Sequence, residues 1–397
     1  LFLVAYEWLC INIINLLVNL PEFPLNACGL VYNKSIMHRG DKMSNLFEPI
    51  TIGDVYFRNR VGVAPMCQYS YENGFSNDWQ VVHLGARAIG GVGLVIAEAT
   101  AILPEGRISP NDVGIWSDDH IEPLQRVTRN ILSNGAVAGV QLAHAGRKAC
   151  MPRSWDSATT ILKGDPQWWQ SVGASPIAFN ENYQIPHELS HQEILGIQDE
   201  FEKAALRSLE AGFNMVEIHA AHGYLLHSFY SPVSNHRSDE YGGNFENRIR
   251  FLVETVQRVR KVWPERLPLF VRISGTEWTD DGWNVQDSVQ LAKILKDEGV
   301  DVIDCSSGGN IPGVKMTLTP GYQVPIAEAI RNQADIKTAA VGLITEPEQA
   351  NQIILDGKAD FVLLGRELLR NPFWTLDAAR TLGFAAPIPP QYARAYK

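Results

Sequence analysis

At 397 residues, with 45% hydrophobic and 20% charged side chains, the chain has the composition of an ordinary globular enzyme. A formal net charge of −10 argues against nucleic acid or an anionic membrane as its main partner. Its five cysteines (Cys10, Cys28, Cys67, Cys150, Cys305) are odd in number, widely spaced and contain no CxxC pair, which excludes a disulfide framework and a zinc ribbon and points to a reducing, cytoplasmic compartment.

Leu1 to Leu20 are largely apolar, with Glu7 the only charge. The stretch is long enough to span a bilayer, but it lacks the basic start and small-residue cleavage site of a secretory signal. Met43 then opens Ser-Asn-Leu-Phe-Glu-Pro-Ile, a natural start for an enzyme. Residues 1–42 are therefore read as an N-terminal extension without a part in the chemistry, a membrane anchor being the alternative. Residues 43–397 are read as one domain, with no membrane partner expected for it. Residues 44–58 precede the first strand and are expected to cap the floor of the fold.

From Asn59 onward, short apolar runs alternate with amphipathic stretches. The runs are Val61–Pro65, Gly93–Ala99, Ala136–Leu142, Asn214–His219, Leu269–Ser274, Val300–Cys305, Lys337–Gly342 and Asp360–Gly365. They are continuous rather than alternating, as parallel strands buried on both faces require. Helical patterns lie between them at Trp79–Ile89, Ile121–Leu132, Gln192–Ala211, Glu246–Trp263, Val285–Asp297, Pro325–Gln333 and Glu346–Leu355. Ser190 and Glu193 form a capping box, and Gly90, Gly135, Gly212, Gly299 and Gly357 stand where left-handed C-caps belong. Eight strand–helix units predict an α/β fold of the (β/α)8 TIM-barrel type. The rival, an open doubly wound sheet, would carry GxGxxG after its first strand, and Ala64-Pro65-Met66-Cys67 is no such turn. Residues 150–187 are too long for a plain connection after the third strand, so a lid or hairpin over the mouth is expected there. Trp168 and Trp169 in that insertion either shape access or pack the lid on the barrel.

In such barrels catalytic groups stand at the C-terminal ends of strands. Gly342, Gly365 and Arg366 end the last two strands, where backbone N–H groups and a guanidinium can bind phosphate; the alternative is a turn glycine followed by a surface arginine. His219 and His222, with Tyr224 beside them, follow the fourth strand. A metal pair would need a carboxylate or third His at another strand end, and none is evident. Two hydrogen-bond donors converging on one carbonyl or phenolate oxygen are a second reading, and a buried His beside an unrelated surface His a third.

These motifs resemble the old yellow enzyme family. Ala64 to Tyr69, Gln141-Leu142-Ala143-His144-Ala145-Gly146-Arg147-Lys148, His219 to Tyr224, and the run from Ser231-Pro232-Val233-Ser234-Asn235-His236-Arg237 through Tyr241-Gly242-Gly243 to Glu246-Asn247-Arg248 carry the likeness, which extends from about Asn45 to Lys397. Cys67 and Tyr69 after the first strand resemble the bacterial ene-reductase subgroup. The resemblance implies FMN at the barrel mouth, reduced by NADPH (NADH possible) and reoxidised by an α,β-unsaturated carbonyl compound, with nitro compounds, quinones and other activated alkenes as relatives of that substrate. It implies that Ala64, Pro65, Met66, Cys67, Ala99 and Gln141 line the flavin and that Arg272 faces its N1/C2=O side. Ser306, Gly342, Gly365 and Arg366 would surround the phosphate. His219 and His222 would bind the substrate oxygen together with Tyr69 on the substrate side, and Tyr224 would protonate Cα. Cys67 would tune the flavin, the alternative being a small apolar filler. Gln391-Tyr392-Ala393-Arg394 resembles a tail whose Arg enters a neighbouring subunit's site, implying a homodimer or homotetramer; Ala395-Tyr396 departs from the Gly-Trp expected next. Iron–sulfur relatives need four clustered Cys, absent here. A metal-dependent hydrolase would want His-x-His on the first strand, and a merely ligand-binding barrel would not need this full set of residues.

Overall fold

The computed structural model describes residues 45–396, so the proposed extension and its membrane-anchor alternative lie outside the described residues. The eight apolar runs form β1 (Val61–Val63), β2 (Leu94–Ala101), β3 (Val137–Ala143), β4 (Met215–Ala220), β5 (Leu269–Ser274), β6 (Val302–Ser306), β7 (Lys337–Ala340) and β8 (Phe361–Leu364). They close in chain order, with β8 pairing back to β1, every ladder parallel. Nearly every strand residue is buried, which is why the runs are continuous. The major helices are α1 (Asp78–Ile89), α2 (Ile121–Ser133), α3 (His191–Glu210), α4 (Phe245–Val262), α5 (Val285–Asp297), α6 (Val324–Ala334), α7 (Pro347–Leu355) and α8 (Trp374–Thr381). Among the described residues no helix is long and apolar enough to cross a membrane.

β1 stops at Val63, short of the expected Pro65, because proline has no N–H for the ladder. β2 runs two residues past Ala99, with a register shift between Ala97 and Ala99. The Ser190–Glu193 capping box forms, each side chain accepting from the other residue's backbone N–H. Gly135, Gly212, Gly299 and Gly357 take the expected positive φ. Gly90 does not: its φ is −67° and the left-handed residue is Gly91, at +99°. Gly90 is required for another reason, since a Cβ there would stand 1.9 Å from the Pro372 carbonyl oxygen.

The floor is closed as expected. A short antiparallel hairpin, Ile50–Ile52 with Val55–Phe57, delivers the fully buried Phe57 ring to within 5.1 Å of Phe361, which itself lies 6.0 Å from Phe270. Phe361 and Phe270 sit at the starts of β8 and β5, so the three rings plug the N-terminal end. Burying one such ring contributes roughly 1.5–3 kcal/mol.

The insertion after β3 corrects one expectation. Its only regular pairing, Val172–Gly173 with His187–Glu188, is parallel, so it is not a hairpin. Trp169 is half-buried; its indole N–H donates to the Glu105 carbonyl (2.9 Å), and the Arg107 guanidinium lies 4.9 Å from its ring. From this segment Trp155 stands edge-on to Tyr69 at 5.8 Å, and the Phe179 ring lies 4.4 Å from the Lys148 ammonium.

Candidate active site

Inward-facing side chains two apart on a strand lie in successive layers. On β4 this puts Glu217 inside the barrel and His219 above it; on β6 it puts Asp304 inside and Ser306 above. Register pairs His219 with Arg272 and Ser306 with Ser274. Past β4 the chain turns sharply. His222 has φ +60°, with its N–H donating to Ser274 Oγ (2.9 Å), and Gly223 has φ +75°. A Cβ on Gly223 would meet the Gly309 carbonyl oxygen at 2.4 Å, so only glycine lets the loops after β4 and β6 approach. The Gly223 N–H donates to His227 Nδ1 (2.9 Å), which leaves the His227 proton on Nε2, 3.0 Å from Glu277. Burial opposes the charge on Glu277, but His227, the Trp283 N–H and the Ser231 hydroxyl hold its carboxyl down at about 2. The turn therefore rests on a fixed, fully buried hydrogen bond between a neutral imidazole and a carboxylate.

This turn gathers the three residues singled out from the sequence. The His219 ring centre lies 5.2 Å from that of His222 and 5.1 Å from that of Tyr224. Burial, reinforced by Arg272, pushes both imidazoles well below their ordinary range, so each is neutral and carries one N–H. His219 Nδ1 is buried without a hydrogen-bond partner. His222 Nε2 lies 2.7 Å from Ser306 Oγ. Burial drives the Tyr224 phenol well above its usual value, with Cys67 and Asp112 adding to the effect, so it keeps its proton. Lys148 joins this group unforeseen. Its ammonium donates to the carbonyls of His222 and Gly309 (2.9 Å each) and stands 5.1 Å from the Tyr224 ring.

On the opposite side a cavity of about 330 Å³ is lined by His222, Arg272, Ser306, Gly342, Gly365 and Arg366 together with neighbouring loop residues. Arg366 is solvent-exposed at the start of a short helix, as the surface alternative had it, yet it still lines the cavity and has no ion-pair partner among the described residues. Gly342, at φ +119°, has no room for a Cβ, which would meet Gln323 Nε2 at 2.7 Å. Ala64, Pro65, Met66 and Cys67 leave β1 beside this cavity, where a Cβ built on Gly365 would touch Met66 Sδ at 3.5 Å. Ala99 pairs with Gln141 across β2 and β3 and shares a small pocket with His219 and Tyr224. The Cys67 thiol is half-buried and hydrogen-bonded to Tyr69; burial, then Asp112 and Glu98, push it up, so it is not a thiolate. Tyr69, at φ +48°, is raised by burial likewise. Arg394 is not brought to this site: it is exposed on the 3-10 turn Pro390–Tyr396 and absent from the cavity lining. Among the described residues no three His, Cys, Asp or Glu are grouped so as to hold a metal ion.

Strand-end reasoning missed Lys148, Glu217 and Asp304. The two acids had a signal, a charge inside an otherwise apolar run; Lys148, in Arg147-Lys148, had none.

A model of the NADH:flavin oxidoreductase / NADH oxidase family matches residues 45–383. The chain is 47% identical over 353 residues to an NADPH dehydrogenase of Bacillus subtilis (strain 168), covering 88% of this chain and 99% of that protein. Among solved structures it is similar to morphinone reductase (TM-score 0.71, 26% identity, 87% of this chain and 92% of that one). The old yellow enzyme homologue of Zymomonas mobilis matches equally well (TM-score 0.71, 27% identity, 86% and 94%). The barrel also matches a 2-naphthoyl-CoA reductase at TM-score 0.75 and 24% identity, a likeness of fold alone, in which 86% of this chain spans 52% of that longer one. The chain belongs to the NADH:flavin oxidoreductase / NADH oxidase family, the old yellow enzymes, and is an oxidoreductase taking FMN and a nicotinamide cofactor.

Proposed function

We propose that the protein is an ene-reductase, using NADPH (or NADH) and FMN to reduce the C=C bond of α,β-unsaturated carbonyl compounds. The observation that carries this reading is the convergence of two neutral imidazoles and a protonated phenol beside a cationic cavity. That cavity suits FMN. Gly365 leaves open space at its lining, where a Cβ would touch only Met66 Sδ at 3.5 Å, and Arg366 supplies positive charge. Ser306, Gly342, Gly365 and Arg366 would hold the phosphate end, and Ala64 to Cys67, Ala99, Gln141 and Arg272 the ring. When bound, FMN supplies the hydride that NADPH delivers to it.

The rest belongs to the chain. His219 and His222 each present one N–H to the substrate oxygen, where negative charge builds as Cβ is reduced. The substrate displaces Ser306 Oγ from His222. Tyr69 faces the substrate from the β1 side, with Trp155 against it. Tyr224 gives its proton to Cα. Residues 1–42 take no part, and Arg394, exposed on its own chain, enters a neighbouring site in a homodimer or homotetramer.

Anaerobic stopped-flow spectroscopy tests the reading. The purified protein shows a flavin band that bleaches with NADPH and returns with cyclohexenone; absence of the band after reconstitution with FMN overturns it.

Lys148 adds a pH dependence. Burial, and then the Arg147 charge, push its ammonium down to about 8. Below that pH the cation over Tyr224 stabilises the phenolate left by proton donation; above it the stabilisation is lost. Flavin reoxidation by enone should therefore slow as pH rises through about 8. In Lys148→Met the rate should be lower and this limb of the pH profile absent.

A further inference from the structure

Directly beneath the mouth four polar side chains meet in the barrel interior. Gln141 is on β3, Glu217 on β4, Arg272 on β5 and Asp304 on β6, with Gln141 in register with Glu217 and Arg272 with Asp304. Glu217 and Asp304 are both fully buried. Gln141 Nε2 donates to Glu217 Oε1 at 2.7 Å. Arg272 Nε lies 3.2 Å from Asp304 Oδ2, an ion pair without hydrogen-bond alignment. Among the described residues the other Glu217 oxygen, Oε2, has no hydrogen-bond donor, and neither Asp304 oxygen has an aligned one. Both carboxyls lie in the barrel interior one layer below His219 and Ser306, on the two strands that flank the Arg272 strand.

We propose that Glu217 and Asp304 hold one proton between them and act as positioning residues for the flavin site, Glu217 fixing the Gln141 amide and the pair as a whole cancelling the charge of Arg272. The second half of this rests on the FMN reading above. Two carboxylates buried beside one guanidinium resist ionising together, because their mutual repulsion and the cost of burying two negative charges exceed what a single positive charge offsets. One proton on the pair leaves a single negative charge, which Arg272 balances, so the cluster is neutral. Burial raises both carboxyls, Glu217 further through the Asp304 charge, while Arg272 pulls each back. The consequences reach upward. With Nε2 committed to Glu217, Gln141 keeps Oε1 free to accept from a ligand N–H. With its charge balanced from below, Arg272 presents a reduced field to whatever binds at the mouth.

The isosteric variants Glu217→Gln, Asp304→Asn and the double variant, prepared as the flavoprotein, test this. Each single variant loses the shared proton and keeps one carboxylate, so the cluster stays neutral. At a fixed potential its ratio of reduced to oxidised FMN should remain within about twofold of wild type. The double variant leaves Arg272 unbalanced and should favour reduced FMN by about tenfold, about 30 mV upward for a two-electron couple. Infrared difference spectra, wild type minus each single variant, should show the C=O stretch of one protonated carboxylic acid lost in both. Additive potential shifts in the two single variants, or no carboxylic-acid band lost in either, overturn the proposal. A protein that takes up no flavin sinks the FMN reading, while the infrared result still decides the shared proton.

Discussion

Tyr224→Phe should slow reoxidation of the reduced flavin by cyclohexenone by about 10²–10⁴-fold, the usual worth of a positioned general acid, and leave reduction by NADPH unchanged. The asymmetry is the point of the experiment. Adding hydride to Cβ leaves a basic Cα that needs a proton, whereas taking hydride from a nicotinamide requires none. Tyr224 is placed to give one because burial keeps its phenol protonated throughout the working pH range. Phenylalanine preserves the ring against His219, so the packing is undisturbed while the proton is gone. Stopped-flow traces of the two half-reactions separate the outcomes. Equal slowing of both would mean that Tyr224 shapes the site and does not protonate.

His219→Ala should cost a comparable amount, about 3–4 kcal/mol in the same oxidative half-reaction, the typical loss on removing one donor from a developing oxyanion. His219 is a cleaner target than His222. Among the described residues it has no hydrogen-bond partner, and its Nδ1 is buried. His222 is held to Ser306 and sits in a left-handed turn, so replacing it also disturbs the loop. A saturated ketone of the same shape should lose much less affinity than the enone loses rate, since charge builds on the oxygen only during reduction. The measurement is the pair of constants, saturation and limiting rate, from single-turnover reoxidation. If binding falls as far as rate, His219 is a binding group and the electrostatic account fails.

Much of the fold is legible in the sequence because a parallel barrel buries its strands on both faces. That burial writes eight unbroken apolar runs, and the strand ends follow from them. Errors arise where a second constraint acts on the same residue. Gly90 looks like a left-handed cap but is kept small by the Pro372 carbonyl, contributed by a segment 282 residues on (372 − 90). Pro65 continues an apolar run yet cannot continue a ladder. The parallel pair at Val172 and His187 is too short to have a period. For the site, the strand-end rule places His219, His222, Arg272, Ser306, Gly342 and Gly365, because chemistry and backbone direction coincide there. It cannot place Lys148, whose role comes from reaching the carbonyls of His222 and Gly309 across a fold not yet formed. Nor does it value Glu217 and Asp304, which lie one layer below the ends the rule inspects.

The filled interior, closed at its floor by the edge-on and tilted rings of Phe57, Phe361 and Phe270, carries a kinetic consequence. A barrel stoppered at its floor offers visitors a single door. Under the proposed activity the nicotinamide and the unsaturated carbonyl compound use the same opening and the same imidazoles, so the first must depart before the second arrives. Turnover then alternates between two half-cycles, and an excess of either visitor delays the other. That obligatory queue follows from a barrel whose interior is filled from the floor up to the layer just below the site.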